Sequence, residues 1–185
     1  MRIKLSANEH QDIIMKTLIA GLGNPILGDD GVGWKVAEEI RKQLQQGAAV
    51  DVICLSLGGM GLMEKLIGYQ RAILVDAFAL NENDQIGSIL IMKLSDLPHY
   101  TGFHTSSIRD TPLQNALEVG RAMGALVPEV VDIVGIATNP IQEFNIELSP
   151  PIAEAVPFAA RIVLDLLKQS SAQHAGYEIF TRNPQ

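Results

Sequence analysis

The sequence predicts an α/β fold in which helices cover both faces of a mostly parallel sheet of about five strands. Short apolar runs with the length of buried strands alternate with stretches in which apolar residues recur at helical spacing. Strands that alternate with helices pair in parallel, because each helix returns the chain to the same end of the sheet. The predicted strands are residues 17–22, 50–57, 71–77, 87–93 and 130–137.

The first unit, residues 17–44, combines a strand, a glycine-bearing turn and a helix. Gly23 and Gly28 break the apolar run, and two adjacent carboxylates, Asp29 and Asp30, follow. The turn lacks the G-x-G-x-x-G spacing of dinucleotide-binding loops, and its carboxylates would repel a phosphate. The turn therefore favours binding of a cation or a proton by one aspartate, while the other aspartate is predicted to cap the helix. Apolar residues at every fourth position indicate the helix, namely Val32, Val36, Ile40 and Leu44.

The later helices are predicted from their caps and apolar stripes. A short helix covers residues 62–67, and Thr111-Pro112-Leu113-Gln114 is typical of a capping box with proline at the first helical position. Ser149 is predicted to cap a last helix that begins at Pro150. The fourth strand follows the third without a helix between them, which predicts an antiparallel edge strand or a hairpin arm.

Composition narrows the classes of protein that the chain can represent. Its 185 residues fit a single domain, 1–185, in which residues 1–14 and 170–185 are predicted to be flexible tails. A net charge of −7 without a lysine–arginine cluster argues against a nucleic-acid partner. The lone Cys54 leaves no internal disulfide. The polar N-terminus and the lack of a membrane-length apolar run predict a cytoplasmic protein without a membrane partner.

Three side chains are predicted to meet at the carboxyl edge of the sheet. Asp30 follows the first strand, Asp76 ends the third, and His104 lies in the long connection of residues 94–110. Two carboxylates and one imidazole suit a borderline divalent ion and leave positions open for substrate or water. Each residue also has a structural alternative. Asp76 could only bind backbone at a strand end, and His104 could be an ordinary loop histidine.

Other hydrolytic chemistries find no support in the sequence. It contains neither the G-x-S-x-G elbow of serine hydrolases nor the H-E-x-x-H helix of zinc peptidases. Cys54 lies in a predicted buried strand, with no neighbouring residue that would activate a thiolate.

Short motifs follow one another in a specific order along residues 17–168. The first is Gly23-Asn24-x-x-x-x-Asp29-Asp30-Gly31-x-Gly33. The others are Gly58-Gly59-Met60-Gly61, Leu74-Val75-Asp76-Ala77, His104, Val134-Gly135-Ile136 and Leu148-Ser149-Pro150. In type and order they resemble the motifs of the nickel–iron hydrogenase maturation endopeptidases. The chain departs from that pattern in lacking the usual threonine after the glycines of the second motif.

This resemblance implies a three-layer α/β/α fold and a specific activity. The family's two acidic residues and its histidine correspond to Asp30, Asp76 and His104, which would form a metal site. The implied activity is removal of a C-terminal peptide from a hydrogenase large-subunit precursor once nickel is in place. The candidate catalytic residues are Asp30 and Asp76, either of which could serve as the general base. Nickel would arrive with the substrate, and zinc or cadmium would also suit this donor set.

Two alternatives stay open on the sequence alone. Gly21-Leu22-Gly23-Asn24-Pro25 is also similar to the start of peptidyl-tRNA hydrolases, which are esterases with a related α/β fold. Their later tyrosine and arginine-histidine-asparagine run are absent, and a chain of charge −7 binds tRNA poorly. The second alternative is a non-enzymatic nickel-binding maturation factor that uses the same three ligands.

Overall fold

A computed structural model describes residues 16–44, 49–79, 85–97, 111–139 and 144–169, together with the backbone of 178–180. The described strands form one six-stranded sheet in the order β2-β1-β3-β5-β4-β6. The strands are β1 Thr17–Leu22, β2 Val50–Leu55, β3 Arg71–Ala79, β4 Ile89–Lys93, β5 Val130–Thr138 and β6 Glu178–Phe180. The helices are α1 Val32–Gln43, α2 Gly59–Leu66, α3 Leu113–Ala122 and α4 Pro150–Lys168.

Four neighbouring strands, β2, β1, β3 and β5, are parallel, as the alternation of elements predicts. Their carboxyl ends lie at one edge of the sheet, called here the carboxyl edge, and their starts lie at the opposite, amino edge. The central strands β1, β3 and β5 are almost fully buried. Strands buried on both faces read as continuous apolar runs, which is why the sequence pattern located them.

The predicted antiparallel fourth strand is confirmed, although its neighbours differ from the expectation. β4 pairs with β5 and not with the preceding β3, so it is not a hairpin arm. Its other side is covered by β6, which pairs with it antiparallel. Residues 178–180, which form β6, lie within the stretch 170–185 that is predicted to be a flexible tail. Residues 1–14 lie outside the described part of the chain.

The helices pack in two pairs, one on each face of the sheet, and complete the predicted three layers. Helices α1 and α4 contact each other and bury Val36, Ile40 and Val163 against one face. Helices α2 and α3 contact each other on the opposite face, where Leu62 and Leu117 are buried. Among the described residues, none of the helices is both long enough and apolar enough to cross a membrane.

The predicted helix caps are wrong in their chemistry. Helix α3 begins at Leu113 with Pro112 at its N-cap, and no side chain caps it. The Gln114 side chain instead donates hydrogen bonds to the carbonyl oxygens of Leu94 and Leu97. Ser149 does occupy the N-cap of α4, but its side chain makes no capping bond. The side chains of Gln114 and Ser149, which the local pattern assigns to helix caps, instead form hydrogen bonds with distant segments.

Candidate active site

The loop between β1 and α1 folds tightly against the carboxyl edge because of its glycines. Gly23 has φ +118°, a conformation that favours glycine, and a Cβ there would overlap the carbonyl oxygen of Asp30. A Cβ on Gly33 would overlap the carbonyl oxygens of Leu22 and Val75. The first turn of α1 therefore lies directly on the ends of β1 and β3, which draws the two aspartates before it into the protein.

Asp30 lies in the 3-10 turn Gly28–Gly31 that precedes α1, and only 2% of its surface is exposed. Its Oδ2 accepts a hydrogen bond from the backbone N–H of Asn24 at 2.5 Å. The turn also contacts β3. A carboxylate from the first motif is thus buried beside the strand that carries the second acidic motif.

Asp76 lies inside β3 and not at its end, which corrects the predicted position. Pairing with β1 stops at Gly21 opposite Val75, whereas pairing with β5 continues to Ala79 opposite Thr138. Asp76 is therefore the first residue of β3 beyond the last pair with β1. It is 2% exposed, and its Oδ1 accepts the N–H of Ala77 at 3.0 Å. The strand is longer than predicted, but Asp76 still reaches the carboxyl edge on the side of the first loop.

Asp29 contacts a distant segment and caps no helix. Its two carboxylate oxygens accept hydrogen bonds from the backbone N–H of Ser149 at 2.6 Å and from the Ser149 hydroxyl at 2.8 Å. Neither the 3-10 turn nor α1 has a side-chain cap, so the expected capping aspartate is not found there. Asp29 instead joins the first loop to the start of α4, and the adjacent aspartates have separate partners.

The third predicted ligand, His104, lies outside the described residues. The described residues resume at Thr111. The Thr111 backbone packs closely against Gly59, because a Cβ added to Gly59 would lie only 2.8 Å from the Thr111 carbonyl oxygen. Gly59 has φ +50° and begins α2 directly after the second glycine-rich turn. Thr111, the first described residue after the connection that contains His104, therefore lies beside the carboxyl edge. Within the described part of the chain, no group of three acidic, histidine or cysteine side chains could hold a metal ion.

The sequence analysis assigned no supporting role to two residues, Asn24 and Ser56. The backbone N–H of Asn24 binds Asp30, and the Asn24 side chain accepts the N–H of Ile26 at 3.3 Å. The Ser56 hydroxyl donates to the carbonyl oxygen of Gly23 at 2.7 Å and joins the second loop to the first. Asn24 could have been found, because an asparagine within a glycine-rich turn commonly bonds to the backbone two residues later. No comparable sequence feature identifies Ser56 as a residue that joins the two loops.

Cys54 does not look like a nucleophile in the structure. It is half-buried on β2, and burial raises the pKa of its thiol above the ordinary value. Its sulfur lies 4.0 Å from the carbonyl oxygen of Trp34. A thiol with a raised pKa carries little thiolate at neutral pH, so the buried carboxylates remain the candidate reactive groups.

Comparison with known proteins shows the family to which the chain belongs. The family model described as HycI, hydrogenase maturation protease, matches residues 34–166. The chain belongs to the hydrogenase maturation proteases. The matched span contains the positions of Asp76 and His104, whereas Asp30 lies just before it. As a member of this family of hydrolases, the chain is placed in the processing of hydrogenase precursors, which favours the protease over the esterase alternative.

Individual relatives show the same similarity at low identity. The chain is 23% identical over 161 residues to the hydrogenase 2 maturation protease of Escherichia coli K12, covering 86% of this chain and 94% of that protein. It is 22% identical over 153 residues to the hydrogenase expression/formation protein HupD of Rhizobium leguminosarum bv. viciae, covering 83% and 74%. The structure of the hydrogenase maturating endopeptidase HybD from E. coli superposes with a TM-score of 0.67 at 24% identity, covering 89% and 96%. The fold is therefore that of the maturation proteases.

Proposed function

We propose that this protein is an endopeptidase that removes a C-terminal peptide from a nickel-loaded [NiFe]-hydrogenase large-subunit precursor. It recognises the bound nickel through Asp30, Asp76 and His104. The burial of two carboxylates, Asp30 and Asp76, at one edge of a maturation-protease fold is the observation that carries the proposal. These residues are far apart in sequence, and burying a carboxylate costs free energy unless its surroundings stabilise it.

The donor chemistry of these residues fits nickel carried by a substrate. Carboxylate oxygens and an imidazole nitrogen suit a borderline divalent ion, but without a thiolate they hold it weakly. Nickel held by ligands of the precursor would need only a few further donors from the protease. The protease would then bind loaded precursor better than empty precursor, and would cut only after nickel insertion.

The same carboxylates supply the catalytic group. When bound, nickel would act as a Lewis acid that polarises a nearby carbonyl or water. One of the two carboxylates, Asp30 or Asp76, acts as the general base that takes a proton from the attacking water. The tight loop around Gly23 keeps Asp30 in place through the Asn24 N–H.

The proposal is tested with precursor from the same organism, prepared with and without nickel. Protease stripped of metal by a chelator is incubated with each form, and the products are weighed by mass spectrometry. We expect loss of one C-terminal peptide from the loaded precursor and an intact apo precursor. Equal cleavage of both forms would contradict nickel recognition, and transfer of nickel without cleavage would favour a non-enzymatic carrier.

A further inference from the structure

A single peptide group at the carboxyl edge connects Ser56 to Asp30. The Ser56 hydroxyl donates to the carbonyl oxygen of Gly23 at 2.7 Å. The N–H of Asn24, which belongs to the same peptide group as that carbonyl, donates to Oδ2 of Asp30 at 2.5 Å. A trans peptide group is planar, so its C=O and N–H point in opposite directions and turn together. The two hydrogen bonds therefore form one chain from a hydroxyl after β2 to a carboxylate before α1.

The register of the sheet brings Ser56 to Gly23. Leu22 and Leu55 are the last pair of β1 and β2, and Gly23 and Ser56 are the next residues of the two segments. The residue before Ser56 is also held from α1, because Nε1 of Trp34 donates to the carbonyl oxygen of Leu55 at 3.2 Å. The Ser56 hydroxyl therefore binds the first loop at the point where backbone pairing between β1 and β2 ends.

The glycine in this loop explains why its peptide group needs a partner outside the loop. Gly23 has φ +118°, and a Cβ there would overlap the carbonyl oxygen of Asp30, so the position admits no side chain. Glycine has more backbone freedom than any other residue, and the peptide group that follows it can rotate at little cost. The hydrogen bond from Ser56 restricts that rotation, and it thereby fixes the direction of the N–H that binds Asp30.

We infer that Ser56 is a positioning residue for the reaction, because it holds the Gly23–Asn24 peptide group in the orientation that keeps the Asp30 carboxylate in place. This inference rests on the proposed function, which gives Asp30 its reactive role. Ser56 acts through the peptide group and not on the precursor. Its hydrogen bond also strengthens the bond to Asp30, because donation to a carbonyl polarises the peptide group and makes its N–H a better donor.

The first test measures the hydrogen-bond chain in the protease alone, by hydrogen exchange of the Asn24 amide followed by NMR. Ser56→Ala should lower the protection of this amide about fivefold, which corresponds to about 1 kcal/mol, the net contribution of a typical hydrogen bond. Ser56→Thr keeps the hydroxyl and should stay within about twofold of wild type. The matched control is Ser95→Ala, which removes another exposed hydroxyl, one that donates to Oδ1 of Asp96 at 3.1 Å. It should leave the Asn24 amide unchanged.

The second test asks whether Ser56 acts through Asp30, by a double-mutant cycle on the cleavage of loaded precursor. Ser56→Ala should lower kcat/KM about fivefold, whereas Ser56→Thr and the Ser95→Ala control should stay within about twofold of wild type. In an Asp30→Asn background, Ser56→Ala should cause less than a further twofold loss, because the carboxylate that it positions is gone. A fivefold loss in both backgrounds would overturn the inference, since Ser56 would then act independently of Asp30.

The outcomes separate this inference from the proposed function. If wild type cleaves loaded precursor and Ser56→Ala cleaves it equally well, the positioning role is wrong and the function stands, whether or not the Asn24 amide loses protection. If wild type cleaves no precursor, the function fails and the positioning role fails with it. Circular dichroism melts check that each variant is folded, and Ser56→Thr separates loss of the hydroxyl from the presence of a substitution at this position.

Discussion

The two edges of the sheet both bury carboxylates, and they bind them in different ways. At the amino edge, Asp132 is 2% exposed, and its Oδ2 accepts hydrogen bonds from Nε and Nη2 of Arg71 at 3.0 and 2.7 Å. At the carboxyl edge, Asp30 and Asp76 are equally buried, and the bonds described above come from backbone N–H groups. At the amino edge, the guanidinium offsets the full charge of the buried Asp132 carboxylate.

Under the proposed function, the amino edge holds a carboxylate that stabilises the fold and the carboxyl edge holds the reactive carboxylates. The third nitrogen of the Arg71 guanidinium, Nη1, donates to the carbonyl oxygen of Gln169 at 3.0 Å, just after α4. The pair therefore joins β3, β5 and the end of the last helix. At the opposite end of α4, Asp29 makes the equivalent connection through Ser149. Between these anchors, the position of Asp30 depends on its neighbour Asp29 and on the tight loop around Gly23.

The largest expected effect comes from replacing the two adjacent aspartates, Asp29 and Asp30, one at a time. Asp30→Asn should lower kcat/KM for loaded precursor by about 100-fold or more, because an amide is neither a base nor a good metal ligand. Asp29→Asn should keep activity and nickel affinity within a few-fold, since asparagine still accepts one of the two Ser149 hydrogen bonds. Cleavage rates and calorimetric titration with nickel measure both effects. A reversed order of the two variants would exchange their roles.

The contrast between these aspartates also shows what the sequence could predict. Strand β1 was predicted at its observed bounds, because a strand buried on both faces appears as one apolar run. Ser149 was placed correctly at a helix start, yet its hydroxyl binds Asp29 instead of capping α4. Local patterns identify elements. They do not show which side chain a distant segment will engage.

The same limit explains the remaining differences. β6 is only three residues long, which is too short for a strand pattern to appear in the sequence, so its pairing with β4 was not predicted. Asp76 was assigned to the end of a strand, but β5 extends β3 by pairing beyond it. The sequence did predict that Asp30 and Asp76 lie at the same edge, because the carboxyl ends of parallel strands lie together. His104 stays a prediction, since it lies outside the described residues.

The next largest effect should appear at the amino edge and should change stability alone. Arg71→Met leaves Asp132 buried without its guanidinium and should lower the free energy of unfolding by about 3–5 kcal/mol. Arg71→Met combined with Asp132→Leu should recover much of that loss, because the uncompensated charge is gone. Urea unfolding measures both variants. Cleavage per folded molecule should stay at the wild-type rate, and a selective loss of kcat would show that the two edges are not independent.

The smallest expected effect concerns Asp51, a half-exposed carboxylate that also lies at the amino edge. Lys16 Nζ lies 2.7 Å from Oδ2 of Asp51, and the Tyr69 hydroxyl donates to that oxygen at 2.6 Å. Hydrogen bonds from Lys16 and, second, from Tyr69 hold the pKa of Asp51 below its ordinary value. A lowered pKa in the folded state stabilises the protein above the unfolded pKa. That contribution disappears as the pH falls through the folded pKa.

Tyr69→Phe should therefore raise the pKa of Asp51 while leaving it lowered by Lys16. The variant should be slightly less stable than wild type at neutral pH, and the difference should shrink towards zero in acid as Asp51 is protonated. The effect is small because both partners of the ion pair are about half exposed, and water screens such pairs. Carbon-detected NMR titration of the Asp51 carboxyl group measures the pKa, and urea unfolding at neutral and acidic pH measures stability. A stability difference that grows as the pH falls would show that the Tyr69 hydroxyl acts through another group.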